Sequence, residues 1–197
     1  MGGAGIRGAM YGSRLYDQPK HAEFATTVRE FAQPGPPLNL EIGVDRGYRL
    51  LAHARRWPEQ RWLGVEVRRT VLAAAQHAPS NALLLRADAR AILEGLLPEH
   101  RLQRVDILFP SPTHCSRKLL LSPAFVSLLA SRMHPSGVLL LATDVPGMAD
   151  LARELLLHWP EAAPLPVGTV HSRREKVCAQ QGRPVWQFHR YPDKTSP

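Results

Sequence analysis

An α/β fold on a mostly parallel, doubly wound sheet is what this sequence predicts, on three observations. Apolar, strand-like runs alternate with helix-like runs three times from Leu38 onward, and parallel strands joined by crossover helices are the economical topology for such alternation. The first run, Leu38-Asn39-Leu40-Glu41-Ile42, breaks into a bend bearing Gly43 and Gly47 before a helical pattern begins. Later runs end in acids, at Glu66, Asp88 and Asp144, and the carboxyl ends of the strands are where such sheets meet their ligands.

Taken in order, residues 1–36 read as a basic leader with a short amphipathic helix, Ala22 to Phe31, closed by Pro34-Gly35-Pro36-Pro37. That linker makes the leader an appendage, and residues 37–197 one domain. Arg7, Tyr11, Arg14, Tyr16 and Lys20 interleave charge with rings, as a nucleic-acid arm or a disordered terminus would. After the first strand come a helix from Tyr48 to Trp57, stopped by Pro58, and a strand from Arg61 to Val67. A helix from Arg69 to Ala78, a strand from Ala82 to Ala89 and a helix from Ala89 to Leu97 follow. The fourth strand, Arg104 to Pro112, ends in a proline-stiffened turn. A helix from Pro123 to His134, a strand from Val138 to Asp144 and a helix from Pro146 to about Trp159 continue the pattern. Val167 to His171 and Val185 to Tyr191 are expected to complete a seven-stranded sheet as an antiparallel C-terminal hairpin, with Ser172 to Lys176 a charged loop between them.

Composition narrows the partners. A formal charge of +8 over 197 residues, carried mainly by arginine because only Lys20, Lys118, Lys176 and Lys194 are lysines, suits phosphate recognition and a nucleic-acid partner. A GC-rich genome produces the same arginine- and proline-rich bias. Cys115 and Cys178 are too few for a disulfide framework, which points to a reducing cytoplasm. No run reaches the roughly 18 apolar residues of a membrane span, and nine scattered histidines show no ligand spacing, so neither membrane nor metal is expected.

The bend after Ile42 carries Asp45 where a dinucleotide fingerprint would have its middle glycine. A pyrophosphate is repelled by that carboxylate and a cationic sulfonium cofactor is not. Asp45 also counts against a nicotinamide dehydrogenase, and Glu41 fits the same preference for a cation. Glu66, about twenty residues after Gly43, stands where cofactor ribose hydroxyls arrive or, more simply, faces water. Asp88 either takes an adenine amine or caps the next helix, and Asp144 is a further strand-tip acid that equally suits a cap of the helix from Pro146. Ser111, Thr113 and His114 lie nearest to a transferred group.

With these positions fixed, the chain resembles the tRNA (guanine-N(7)-)-methyltransferase family, TrmB type, over roughly Leu38 to Arg190, as a divergent member. Leu40-Glu41-Ile42-Gly43 is similar to the family's cofactor motif, Gly64-Val65-Glu66-Val67 to its strand-two acid and Arg86-Ala87-Asp88-Ala89 to its adenine-side motif. Phe109-Pro110-Ser111-Pro112 falls on a Phe-Pro-Asp-Pro signature, Pro123-Ala124-Phe125 on the helix after it, Leu141-Ala142-Thr143-Asp144 on strand five, and Ser172-Arg173-Arg174-Glu175 on a late Thr-x-x-Glu motif, with Gly182 through Trp186 spaced after it. The resemblance implies a Rossmann-like class I methyltransferase with S-adenosylmethionine held by Glu41, Gly43, Glu66, Asp88 and Ala89. Ser111 stands at the methyl end, and Asp144, Ser172, Arg173, Arg174 and Glu175 face the substrate. Ser111 and Glu175 are the residues it places closest to the chemistry. A cytoplasmic monomer acting on tRNA or another nucleic acid is expected.

The departures are specific. Ser111 replaces the signature carboxylate, the loop Thr113 to Lys118 is about three residues short, Asp45 replaces a glycine, and Ser172 replaces the late threonine. Two other readings therefore stay open: a methyltransferase with a shifted acceptor, another RNA or a small heteroaromatic molecule, and a non-catalytic RNA-binding paralogue.

Overall fold

The computed structural model describes residues 20–68, 77–111, 120–164 and 171–193. Among these, six strands form one sheet: β1 (Leu38–Ile42), β2 (Arg61–Glu66), β3 (Ala82–Arg86), β4 (Leu102–Leu108), β5 (Met133–Thr143) and β6 (Trp186–Arg190). The order is β3-β2-β1-β4-β5-β6. All pairings are parallel except β5 with β6, which is antiparallel, as expected of the last strand. The predicted strand Val167–His171 lies outside the described residues apart from His171, which is in no strand. Most of the helix expected over Arg69–Ala78 is likewise outside them, as are Thr113, His114, Cys115 and the rest of the 112–119 loop.

Helices α1 (Lys20–Phe31), α2 (Tyr48–Arg56), α3 (Ala89–Gly95), α4 (Pro123–Arg132), α5 (Pro146–Leu155) and α6 (Arg173–Gln180) accompany the strands. Ser172 to Lys176, expected as a loop, is instead the start of α6. Ser172 Oγ accepts a hydrogen bond from the Glu175 N–H at 3.2 Å, and Glu175 Oε2 accepts from the Ser172 N–H at 2.6 Å. This reciprocal capping box satisfies two amides that a helix start leaves orphaned. Helix α4 stops at Arg132, two residues before the expected end, and β5 begins at Met133. Pro135 disfavours helical geometry at the residue before it, so the chain turns extended there.

The larger core joins one face of the sheet, Leu40, Ile42, Leu63, Val65, Leu83, Leu85, Val105, Ile107, Leu139 and Leu141, to helices α1, α3, α4 and α5. Helix α1 is not set apart by its proline linker, because Phe24, Val28 and Phe31 belong to this core. Arg101 donates to the carbonyls of Ala32, Gln33 and Pro36, tying the linker down. On the other face α2 packs Leu50, Leu51 and Ala54 over Trp62, Ala82 and Leu84. That approach depends on Gly64, where a Cβ would come within 2.6 Å of Leu84 Cδ2 and 2.8 Å of Leu50 Cδ1. No helix among the described residues is long and apolar enough to cross a membrane.

Candidate active site

Strand register decides what meets at the carboxyl edge. Ile42 pairs with Val65 on one side and Ile107 on the other, Glu66 pairs with Arg86, and Leu108 with Ala142. The strand order reverses between β1 and β4, and open α/β sheets bind ligands at that point. A cleft of about 1090 Å³ opens there, lined by Glu41, Gly43, Glu66, Asp88, Ala89, Ser111, Asp144, Ser172, Arg173 and Arg174. Its size reaches the top of the roughly 300–1,000 Å³ range of small-molecule sites, enough for a cofactor and part of a second substrate. Ten of the eleven residues that the resemblance assigns to the site therefore come together; Thr113 and His114 lie outside the described residues, and Glu175 is not among the lining residues. Its carboxylate is turned to the Ser172 amide and to Gln187 Nε2, at 3.4 Å.

The bend leaving β1 is held by backbone geometry. Gly43 has φ 82° and Gly47 φ 72°, and between them Asp45 takes φ 49°. The aspartate thus keeps the left-handed conformation that a glycine would adopt freely, and aspartate is one of the few side chains that tolerate it. A Cβ built on Gly43 would meet nothing within 4 Å, so the space above it is open. On the opposite wall Phe109, with φ 52°, turns the chain so that Pro110 and Ser111 line the cleft, while its N–H donates to the Ala142 carbonyl at 2.7 Å.

The acids differ in their partners. Glu66 is buried and accepts from the Asp45 N–H at 3.0 Å, the Arg68 N–H at 2.9 Å and the Arg68 guanidinium at 3.2 and 3.4 Å. Asp88 caps α3 through the Arg90 N–H at 2.9 Å and pairs with the Arg90 guanidinium, whose hydrogen bonds hold its carboxyl below the ordinary value against partial burial. Both readings of Asp88 are thus compatible: it caps and it lines the cleft. Asp144 accepts from Arg174 at 2.6 and 3.1 Å, and Arg183 stands 3.9 Å away. Burial pushes the Asp144 carboxyl up, and Arg174 outweighs that to hold it low.

Glu41 lies deeper. It shares Arg49 Nη1 with Asp106, at 2.9 and 2.6 Å, and Arg104 Nε adds a third contact to Asp106 at 2.8 Å. Burial raises the Glu41 carboxyl, whereas two guanidinia hold Asp106 low against the same burial. Arg49 and Asp106 were not singled out from sequence, nor were Arg68 and Arg90. A signal existed in the acid-x-Arg pattern repeated at Glu66-Val67-Arg68 and Asp88-Ala89-Arg90. Among the described residues no group of three or more histidines, cysteines, aspartates or glutamates is placed to hold a metal.

The residues present fit S-adenosylmethionine: an open backbone approach at Gly43, a buried carboxylate for vicinal hydroxyls, a second for an amine, and five carboxylates among the lining residues to suit a sulfonium. Comparison with known proteins agrees. Residues 36–187 match the model of a family described as putative methyltransferase. The chain is 33% identical to the tRNA (guanine-N(7)-)-methyltransferase of Synechococcus sp. (strain CC9311), covering 89% of this chain and 82% of that one. It is 32% identical to the enzyme of that name from Thermosynechococcus vestitus, over 82% and 84%. In fold it is similar to the 16S rRNA (adenine(1408)-N(1))-methyltransferase from Catenulisporales acidiphilia, with a TM-score of 0.61 at 15% identity, covering 94% of this chain and 98% of that one. The acid-tipped strands, the cleft and these relatives together make the chain an S-adenosylmethionine-dependent methyltransferase of the tRNA (guanine-N(7)-)-methyltransferase family.

Proposed function

We propose that this protein transfers the methyl group of S-adenosylmethionine to the position-7 nitrogen of guanine in tRNA. The observation that carries the reading is the convergence of Gly43, Glu66, Asp88 and Ser111 with the first turn of α6 on one cleft. When bound, S-adenosylmethionine supplies an electrophilic methyl on a sulfonium. Every other requirement falls on the chain. Glu66, fixed by the Asp45 amide, accepts from the two ribose hydroxyls, and Asp88, with Ala89 beside it, takes the adenine amine. Glu41, neutralised by Arg49, sets the floor beneath Gly43.

The position-7 nitrogen has a lone pair and no proton, so the acceptor needs no general base. It needs alignment with the methyl and the sulfur. Ser111 places a hydroxyl where the Phe-Pro-Asp-Pro signature it resembles has a carboxylate, a weaker acceptor for a donor on the base or ribose. Asp144, Arg173 and Arg174 face the substrate, and Ser172 with Glu175 acts as a positioning pair that anchors the turn bearing the two arginines. Relatives named as tRNA enzymes and the formal charge of +8 support an RNA partner. The enzyme works as a cytoplasmic monomer in which α1, from the leader of residues 1–36, packs into the core of the methyltransferase domain, residues 37–197.

Incubation of the full chain with unmodified tRNA and S-adenosylmethionine, followed by nucleoside mass spectrometry, is expected to yield 7-methylguanosine. Methyl transfer to a different nucleoside would transfer the case to a shifted acceptor. Cofactor binding with no transfer to any RNA would favour the non-catalytic paralogue.

A further inference from the structure

The two acids assigned to the cofactor are each engaged by an arginine two residues further along. Arg68 donates from Nε to Glu66 Oε1 at 3.2 Å and from Nη2 to Oε2 at 3.4 Å, and its Nη2 is 3.4 Å from Asp45 Oδ1. Arg90 donates from Nε to Asp88 Oδ1 at 3.1 Å and from Nη2 to Oδ2 at 2.8 Å. A carboxylate offers about four acceptor sites. At Glu66 two are taken by the amides of Asp45 and Arg68 and two by the Arg68 guanidinium, so it has none to spare for a diol.

Only one pair of donors can leave. The amides are fixed by the turn and by the strand end, and the Glu66 side chain is 3% exposed, whereas the Arg68 side chain is 64% exposed. Arg90 is half-exposed, and both arginines line the cleft. A partly exposed ion pair is weak enough to exchange. A guanidinium displaced from a carboxylate at the cleft wall is left at the mouth with its donor fork open, the geometry that binds a phosphate.

We propose that Arg68 and Arg90 are exchangeable partners of the cofactor acids: cofactor binding displaces them from Glu66 and Asp88 and frees them for the RNA backbone. This rests on the cofactor reading above. Coupling between two ligands is reciprocal, so RNA that draws the arginines away also opens the acids to the cofactor. Each ligand tightens the other.

The test is calorimetric titration of the full chain with S-adenosylhomocysteine, which cannot methylate, with and without an unmodified tRNA transcript. It compares wild type, Arg68→Gln/Arg90→Gln, and a control, Arg55→Gln/Arg153→Gln, that removes the same charge away from the cleft. In the wild type, tRNA is expected to tighten S-adenosylhomocysteine by about fivefold, the scale of one or two partly exposed ion pairs. The Arg68/Arg90 variant should bind it about fivefold tighter without RNA and gain nothing further from tRNA, while the control keeps the coupling. Unchanged or weaker binding by the Arg68/Arg90 variant, or no coupling in the wild type, would overturn the exchange and leave the cofactor assignment standing. A wild-type chain that bound no S-adenosylhomocysteine would overturn both.

Discussion

At Asp45 the backbone has φ 49° while its N–H donates to Glu66, so a substitution there is a test of conformation as much as of charge. Asparagine visits the left-handed region readily and a β-branched residue does not. Urea unfolding should therefore find Asp45→Asn near wild type and Asp45→Val less stable by about 1–2 kcal/mol. Removing the acceptor itself, by Glu66→Ala, is expected to weaken S-adenosylhomocysteine at least tenfold in the same calorimetry, because hydrogen bonds to a charged group are worth about 1.5–3 kcal/mol. Unchanged affinity would take Glu66 out of the site. His53, sealed between Trp57 and Trp62, has its pKa pushed down to about 3 by burial and then by Arg49 and Arg104. Between the ordinary value of 6.5 and about 3, the unfolded chain takes up a proton there that the folded chain refuses. Acid thus removes up to about 1.4 kcal/mol per pH unit across that window and nothing above it. Stability curves at pH 7 and pH 5 should show a loss about 2 kcal/mol greater in the wild type than in His53→Gln. The acids at the strand tips were legible in the sequence because each ends an apolar run at the carboxyl edge, where such sheets meet their ligands. The arginines at Glu66 and Asp88 left only the acid-x-Arg repeat as a cue and Arg49 left none, since twenty-one arginines offer no local sign of which distant carboxylate each will find.

Between residue and fold, the late motif shows how one pattern carries two meanings. Ser172-Arg173-Arg174-Glu175 is the sequence of a capping box as well as of a family signature, and reading it as a charged loop missed α6 altogether. Substituting Ser172 by alanine deletes the bond to the Glu175 amide. The expected loss is about 1 kcal/mol of stability, and because the same turn carries Arg173 and Arg174 into the cleft, KM for tRNA should rise while S-adenosylhomocysteine affinity holds. Ser172→Thr should restore both, which a merely disruptive mutation would not allow. Element boundaries followed the same logic on a smaller scale. Helix α4 yields to β5 at Met133 because of Pro135, a cue present in the chain but outweighed by the apolar periodicity running through it.

For the molecule as a whole, the parallel strands followed from the alternation of strand and helix and the late antiparallel strand from its alternating polarity, whereas the burial of α1 followed from neither. Pro34-Gly35-Pro36-Pro37 signals a break in the chain, but a break in secondary structure is compatible with a helix folding back onto the core. The excess of positive charge makes a further expectation: tRNA affinity should fall steeply with salt, and Arg173→Gln should lower the log–log slope by about one if that side chain meets a phosphate. The place of α1 matters to anyone who trims the protein to its family-matched span, residues 36–187. Phe24, Val28 and Phe31 would go with the discarded piece, each worth about 1.5–3 kcal/mol when buried, a sum comparable to the whole margin by which a domain stays folded. Such a fragment should take up hydrophobic dyes and precipitate on concentration, and failed assays on it would say nothing about the enzyme.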